Sequence, residues 1–297
     1  MLKYFICPNG LRTRIDDCLS SCRDRCLSKP TLVAIARGER EWTGVPSTTQ
    51  LLGGTRLAYL KLTVDYAIEP ESMAYALLGT SHHARLDKVA RTMNVLSEVK
   101  LGGDNTGIFD LLCEDETVSG DYYELYDYKT AGSFKIAQAL GIVKEKKPDP
   151  TGATYQKDSK YGKKGEVKQV DVWTHDPSRV DILDWGLQLN NYRIKIEEQG
   201  FPISRMFVQA TVCDGDTQIA RNRGVFKRMY KIPIPRYQTS TVIEYFDRKR
   251  KALLTALETH TLPEPCNAHE SWDGIRCARY CEVREACNVG QQKAKEK

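Results

Sequence analysis

Two carboxylates and an ammonium, Asp110, Asp127 and Lys129, stand where the sequence reads as paired strand. GIFDLLCED, from Gly107, and YYELYDYKT, ending at Thr130, are apolar and aromatic enough for strands, with TVSGD as the turn between them. Successive side chains of a strand alternate faces, so Tyr123, Leu125, Asp127 and Lys129 share one and Glu124 lies on the other. Burying an unpaired carboxylate or ammonium costs several kcal/mol. These charges must therefore be paired, exposed or bound to something. A surface cross-strand ion pair would contribute about 0–1 kcal/mol. Two carboxylates brought together across a hairpin repel unless a divalent cation neutralises them, and hard oxygen ligands of this kind suit Mg²⁺ or Mn²⁺. Lys129 beside such a site would orient or activate a water and stabilise charge on a phosphate.

The elements that must position these groups follow from periodicity and turn signals. Turns are expected at Gly38, Pro46 and Gly53–Gly54. From Thr55 to about Val99 the pattern is helical, with Leu57, Leu60 and Val64 on one face and Leu86, Val89 and Ala90 on another. The hairpin follows. Residues 144–168, rich in Lys, Gly and Pro, read as an insertion or mobile loop. An amphipathic helix is expected from about Pro177 through Glu198, then strands in FPISRMFVQATVCD and KRMYKIPIP. STVIEYFDRKRKALLTALET is a helix with Ser240 or Thr241 as N-cap. The order implies an α/β core around a mixed sheet. The expected organisation is a Cys-rich segment at 1–30, a core at 31–262 and a Cys cap with a basic tail at 263–297.

Two further motifs flank the hairpin. GTSHHARLD places His83 on a helix four residues before Asp87, and QLNNY places Gln188 and Tyr192 four apart on one helical face. Taken singly, each has an ordinary structural reading, as a satisfied histidine or a surface pair. With GIFD and DYKT, in this order, they resemble the RecB-like branch of the PD-(D/E)XK nuclease superfamily, over roughly residues 22 to 287. The match runs through its G-T-x-x-H-x-x-L-E helix (Asp87 replacing Glu), its G-x-x-D acid, its D-x-K strand and its Q-x-x-x-Y helix. The resemblance implies a restriction-endonuclease-like core, a central mixed β-sheet flanked by helices. It also implies Mg²⁺ or Mn²⁺ held by His83, Asp110, Asp127 and the Tyr128 carbonyl, Lys129 acting on the water, and Gln188 and Tyr192 facing the catalytic groups or substrate. His83 is chosen over His82 because it fits the motif; adjacent helical residues point about 100° apart.

Ten cysteines are unevenly placed. Cys7, Cys18, Cys22 and Cys26 crowd one end, Cys266, Cys277, Cys281 and Cys287 the other, and only Cys113 and Cys213 lie between. Clusters in a reducing compartment read as metal ligands before disulfides. Cys277-x3-Cys281-x5-Cys287 resembles the C-terminal triplet of the iron–sulfur subgroup of these nucleases, including the AddB nuclease domain and CRISPR-associated exonucleases, although their first gap is one residue shorter. There a single N-terminal Cys completes a 4Fe-4S cluster that staples the chain ends, which would assign Cys26 or Cys22 here. A second arrangement, two local four-cysteine sites, stays open, as does Zn²⁺ in place of iron–sulfur. Isolated in apolar strands, Cys113 and Cys213 read as packed core.

Composition is that of an ordinary globular chain, 41% hydrophobic and 28% charged. No run of 18 apolar residues suggests a membrane span, and MLKYFICPNG lacks a signal-peptide core, so a cytoplasmic protein is expected. A net charge of +5 permits a nucleic-acid partner without demanding one. Between Lys144 and Lys168, eight lysines face four acids, making Lys160, Lys163 and Lys164 candidate DNA contacts or a solvated loop. The expectation is a metal-dependent deoxyribonuclease, an exonuclease on DNA ends or single strands in recombination, repair, phage or CRISPR-type processing. A partner protein or homo-oligomer is compatible with it. The alternatives are a catalytically silent DNA-binding subunit of the same fold and a zinc-dependent interaction protein.

Overall fold

The computed structural model describes residues 1–38, 41–93 and 95–296. Along the chain, β1 (Leu2–Ile6) and β2 (Arg12–Arg14) precede α1 (Ile15–Ser20), α2 (Lys29–Arg37), α3 (Thr48–Leu52) and α4 (Thr55–Thr63). Then come β3 (Tyr66–Ile68), α5 (Ala74–Ala90), β4 (Leu96–Leu101), β5 (Gly107–Glu114), β6 (Tyr123–Ala131) and α6 (Ser133–Ala139). β7 (Ile142–Pro148), β8 (Gln169–His175), α7 (Leu183–Glu197), β9 (Ile203–Val212), α8 (Gln218–Arg221) and β10 (Met229–Ile234) follow. The chain closes with α9 (Thr239–Thr259), α10 (Ala268–Ser271), α11 (Ile275–Arg279) and α12 (Asn288–Lys295).

The class is mixed α/β, with helices flanking the sheets. One sheet has the order β2-β1-β3, with β1 antiparallel to β2 and parallel to β3. The larger has the order β10-β9-β6-β5-β4, and β7 pairs with β8 alone. The expected hairpin is present: β5 and β6 are antiparallel, with Leu111 opposite Tyr126 and Leu112 opposite Leu125. No helix among the described residues is long and apolar enough to cross a membrane.

The chain divides into two compact units. The first comprises residues 1–127, 186–206 and 235–297. Its core includes Phe5, Leu32, Leu51, Phe246 and Leu253. Val242, Phe246, Lys249, Leu253 and Ala256 of α9 repeat at alternating four- and three-residue spacing, the stripe a helix needs to lie on a core. Both chain ends belong here, and Arg12 Nη1 reaches Glu285 Oε2 at 3.5 Å. The second unit comprises residues 128–185 and 207–234. In it, Asp214 receives the Ser133 backbone N–H at 2.6 Å and the Ser133 hydroxyl at 2.7 Å, fixing the start of α6.

Several local expectations are corrected. Residues 55–99 are not one helical stretch: β3 and β4 interrupt it, Val64 caps α4, and Val89 is exposed. Short apolar strands beside long helices do not stand out by periodicity alone. The basic stretch is not simply a loop, because β7 and β8 zip in unbroken register from Ile142↔His175 to Pro148↔Gln169. Lys144 pairs there with Asp171 at 2.6 Å and Lys147 with Glu145 at 3.1 Å, so part of its charge is neutralised locally. The helix expected from Pro177 begins at Leu183, after a single 3₁₀ turn at Pro177–Arg179. Gln238, without a side-chain cap bond, starts α9 in place of Ser240 or Thr241. Cys213, one residue beyond β9, is exposed, whereas Cys113 is half-buried. The polar N-terminal segment is structured, and Phe5 is fully buried.

The hairpin turn is pinned by Asp115. Its carboxylate accepts from Arg205 Nη2 at 2.7 Å and Nε at 3.0 Å, from the Ser204 hydroxyl at 2.6 Å, and from the Thr117 hydroxyl and backbone N–H at 2.7 and 3.0 Å. Ser204, then Thr117, hold its carboxyl well below the usual carboxylate range. A carboxyl depressed in the folded state stabilises fully above its unfolded pKa of about 3.9, and the contribution is lost as pH falls below that. Asp115→Asn is therefore expected to lower the melting temperature at neutral pH, and the wild-type and variant curves should converge on acidification toward pH 2. Parallel curves across that range would show that Asp115 does not carry the effect.

Candidate metal centre

α5 carries His83 past β4 and β5, against which the helix packs. One turn on from His83, Asp87 accepts the Ser97 hydroxyl at 2.5 Å and Arg91 Nε at 2.9 Å. Asp87 thus ties the helix to β4 next to the residue that matters there, Glu98. The β4–β5 register, Ser97 opposite Leu111 and Val99 opposite Phe109, sets Glu98 across from Asp110. Glu98 has a left-handed φ of 49°, a conformation that costs an L-residue about 1–2 kcal/mol.

His83 Nδ1 is 3.4 Å from Glu98 Oε1 and 3.4 Å from Asp110 Oδ1. One ligand atom from each of the three lies within 4.8 Å of the others; no other group of three or more His, Cys, Asp or Glu does so among the described residues. The hydrogen bond to Asp110 pushes the His83 imidazole up to about 9, against burial, with the charges of Asp110, Glu98 and Asp127 adding to it. Burial, then Asp110, pushes the Glu98 carboxyl up, and His83 pulls it down. Carboxylates crowded in this way favour a cation among them. His82 does not join the site; burial, then His83 and Arg85, lower it.

Carrying the β5–β6 register one residue beyond Leu111↔Tyr126 sets Asp110 opposite Asp127, and both are buried. Gln188 Nε2 donates to Asp127 Oδ1 at 2.9 Å and lies 3.3 Å from the Tyr192 hydroxyl. Burial, then Asp127, pushes that hydroxyl up to about 12, against Gln188 and the Ile108 backbone N–H. Tyr192 is therefore a neutral hydrogen-bonding group at physiological pH. Its ring lies on Gly107, where an added Cβ would meet Tyr192 Cε1 at 2.4 Å. The glycine of GIFD and the tyrosine of QLNNY are sterically coupled.

Gln188, Asn191, Tyr192 and Lys195 recur at i, i+3, i+4 and i+7 along α7, one helical face. Asn191 Nδ2 donates to Thr48 Oγ1 at 2.9 Å and Asn105 Oδ1 at 2.8 Å, and Lys195 Nζ to the Gly102 carbonyl at 2.8 Å and the Asn105 carbonyl. This polar stripe anchors the loop that leads into β5 and so places Asp110. Glu124 points elsewhere, as strand alternation requires: it accepts from Arg205 at 2.6 Å and from the Tyr126 hydroxyl at 2.5 Å.

The sequence-derived set divides accordingly. His83, Asp110, Asp127, Gln188 and Tyr192 belong to the first unit, while Tyr128 and Lys129 continue β6 in the second. Lys160, Lys163 and Lys164 are exposed beyond the β7–β8 ribbon, with Lys160 Nζ 5.0 Å from the centre of the Tyr161 ring. Glu98 was missed. In LSEVKL it reads as one charge in a stretch taken for helix, and only pairing with β5 gives it meaning.

All ten cysteines are free thiols. Burial, then Cys22, Cys26 and Cys7, raise Cys18; the expected cluster joining the chain ends is not seen, since no three cysteines among the described residues bring their sulfurs within 4.8 Å of one another.

No protein-family model matches the chain, and no curated protein matches it. A solved structure titled "Crystal structure of SSO0001" is similar at a TM-score of 0.43 and 11% identity, over 88% of this chain and 94% of that one.

Proposed function

We propose that this chain is a divalent-metal-dependent DNA nuclease of the RecB-like PD-(D/E)XK kind. One observation carries the reading: His83 and Asp110, picked out by separate motifs, meet with Glu98 within metal-ligating range. Mg²⁺ or Mn²⁺ fits this donor set of carboxylates and one imidazole, with the Asp127 carboxylate and the Tyr128 carbonyl as the further ligands the motif implies. When bound, the ion would act as a Lewis acid on a phosphate and stabilise the leaving oxygen.

The residues around it have distinct tasks. Gln188 holds the Asp127 carboxylate through Nε2 at 2.9 Å. Neutral Tyr192 supports Gln188. Lys129 would orient a water for addition to phosphorus and stabilise the added negative charge as the bond to the 3′ oxygen breaks. The substrates are DNA ends or single strands, with the exposed lysines Lys160, Lys163 and Lys164 as backbone contacts.

Lys129→Ala tests the assignment. Cleavage of an end-labelled oligonucleotide with Mn²⁺ is expected to fall by about 100-fold or more, with Mn²⁺ affinity retained. A catalytically silent DNA-binding subunit would bind the oligonucleotide and cleave it in neither form. A zinc-dependent interaction protein would do neither.

A further inference from the structure

We propose that the outer face of α5 is a self-pairing surface, through which two copies of this chain associate with their α5 helices antiparallel. The inference does not rest on the nuclease reading: a chain inactive on DNA would still pair.

α5 has a thin hold on the core. Of its 17 residues only Ala90 is buried. Its inner side packs on β4 and β5, where His83 meets Asp110 and Asp87 meets Ser97. Its outer side carries large apolar groups: Tyr75 is 64% exposed and Leu78 58%, with Val89 also exposed further along. Most helical stability in proteins comes from packing an apolar face. Here such a face is turned outward, and all of it lies in the first unit.

The pattern along that face selects a second copy as its occupant. Glu71, Ala74, Leu78, Ser81, Arg85 and Lys88 recur at alternating three- and four-residue spacing, and all six are exposed. Glu71 stands in the 3₁₀ turn Pro70–Met73 that leads into α5, and the other five on α5 itself. This is the spacing of a two-helix seam. The seam is also symmetric about its middle. A two-fold axis crossing it between Gly79 and Thr80 exchanges position 71 with 88, 74 with 85 and 78 with 81. Glu71 of each copy then meets Lys88 of the other, at both ends of the contact, and the two copies of Leu78 flank the axis. Tyr75 falls opposite Ala84, small and exposed, and beside Arg85, whose guanidinium suits an aromatic face. The small side chains of Ala74 and Ser81 let the helices approach closely.

Charge fixes the orientation. Glu71, Arg85 and Lys88 have no ion-pair partner among the described residues. A parallel pair would set Glu71 on Glu71 and Lys88 on Lys88, with the helix dipoles aligned. The antiparallel pair meets each acid with a base and opposes the dipoles. A two-fold contact needs a surface complementary to itself, and this face has that property. One helix about 25 Å long makes a small interface, so association should be weak and reversible.

The test is analytical ultracentrifugation of the full-length chain across micromolar concentrations, in chelator so that neither metal nor cleavage plays a part. Wild type should show a concentration-dependent monomer–dimer equilibrium. Leu78→Glu changes an exposed position and should weaken dimerisation by about 10-fold or more. Glu71→Lys and Lys88→Glu should each weaken it, since like charges then meet at both ends. Mixed in equal amounts, these two variants should pair with each other as wild type does, because every lysine again meets a glutamate. Circular dichroism establishes that each variant is folded. A wild type monomeric throughout, a dimer indifferent to Leu78→Glu, or a mixture no better paired than its components would overturn the proposal. So would a monomeric wild type that floats with anionic lipid vesicles while Leu78→Glu does not, which would give the face to a membrane.

Discussion

Asp127→Asn is expected to lower Mn²⁺-dependent DNA cleavage by about 100- to 1000-fold while the chain still folds. Asparagine keeps the size of the side chain and an oxygen able to accept from Gln188 Nε2, now at 2.9 Å. It removes the charge. Asp127 is 2% exposed and contributes to the field that raises His83, so its negative charge acts on the same groups that would bind the ion. Weaker Mn²⁺ binding by calorimetry should accompany the lost cleavage, with a melting temperature within a few degrees of wild type in chelator. A large drop in melting temperature with Mn²⁺ affinity unchanged would instead make Asp127 a structural residue.

Gly107→Ala, far smaller as a chemical change, should be nearly as damaging to activity. The new methyl would meet the Tyr192 ring at 2.4 Å, and β5 is held on both sides, by β4 and by β6. The ring must then move, taking the hydroxyl away from Gln188 and loosening Asp127. Overpacking of this kind costs about 1–3 kcal/mol, so both stability and cleavage should fall. The steric origin can be isolated. In a Tyr192→Val background the added methyl has room, and its cost to stability should largely vanish in a double-mutant cycle. Equal costs in both backgrounds would place the strain elsewhere.

How much of this could be read from residues alone is clearest along the β5–β6 hairpin. Alternation there gave the face of Asp127 correctly and kept Glu124 off it, because a period of two leaves a strand no freedom to rotate a side chain. Gln188 and Tyr192 could be placed on one helical face by their spacing of four. Their burial could not be read, since a polar stripe on a helix ordinarily faces water, and its acceptors lie far off in sequence: Asp127 for Gln188, and Thr48 and the Gly102–Asn105 loop for Asn191 and Lys195. Glu98 lay beyond sequence reasoning for a related reason. Its meaning comes from the residue opposite, and its left-handed backbone leaves no mark in LSEVKL.

The proposed function requires that a divalent ion at His83, Glu98, Asp110 and Asp127 support phosphodiester hydrolysis. The most direct measurement titrates Mn²⁺ into the metal-stripped chain with an end-labelled oligonucleotide, following binding and cleavage in the same samples. Cleavage absent in chelator and rising in step with occupancy of the site is the predicted result. A saturated site with the oligonucleotide intact, or cleavage that persists in chelator, would contradict it.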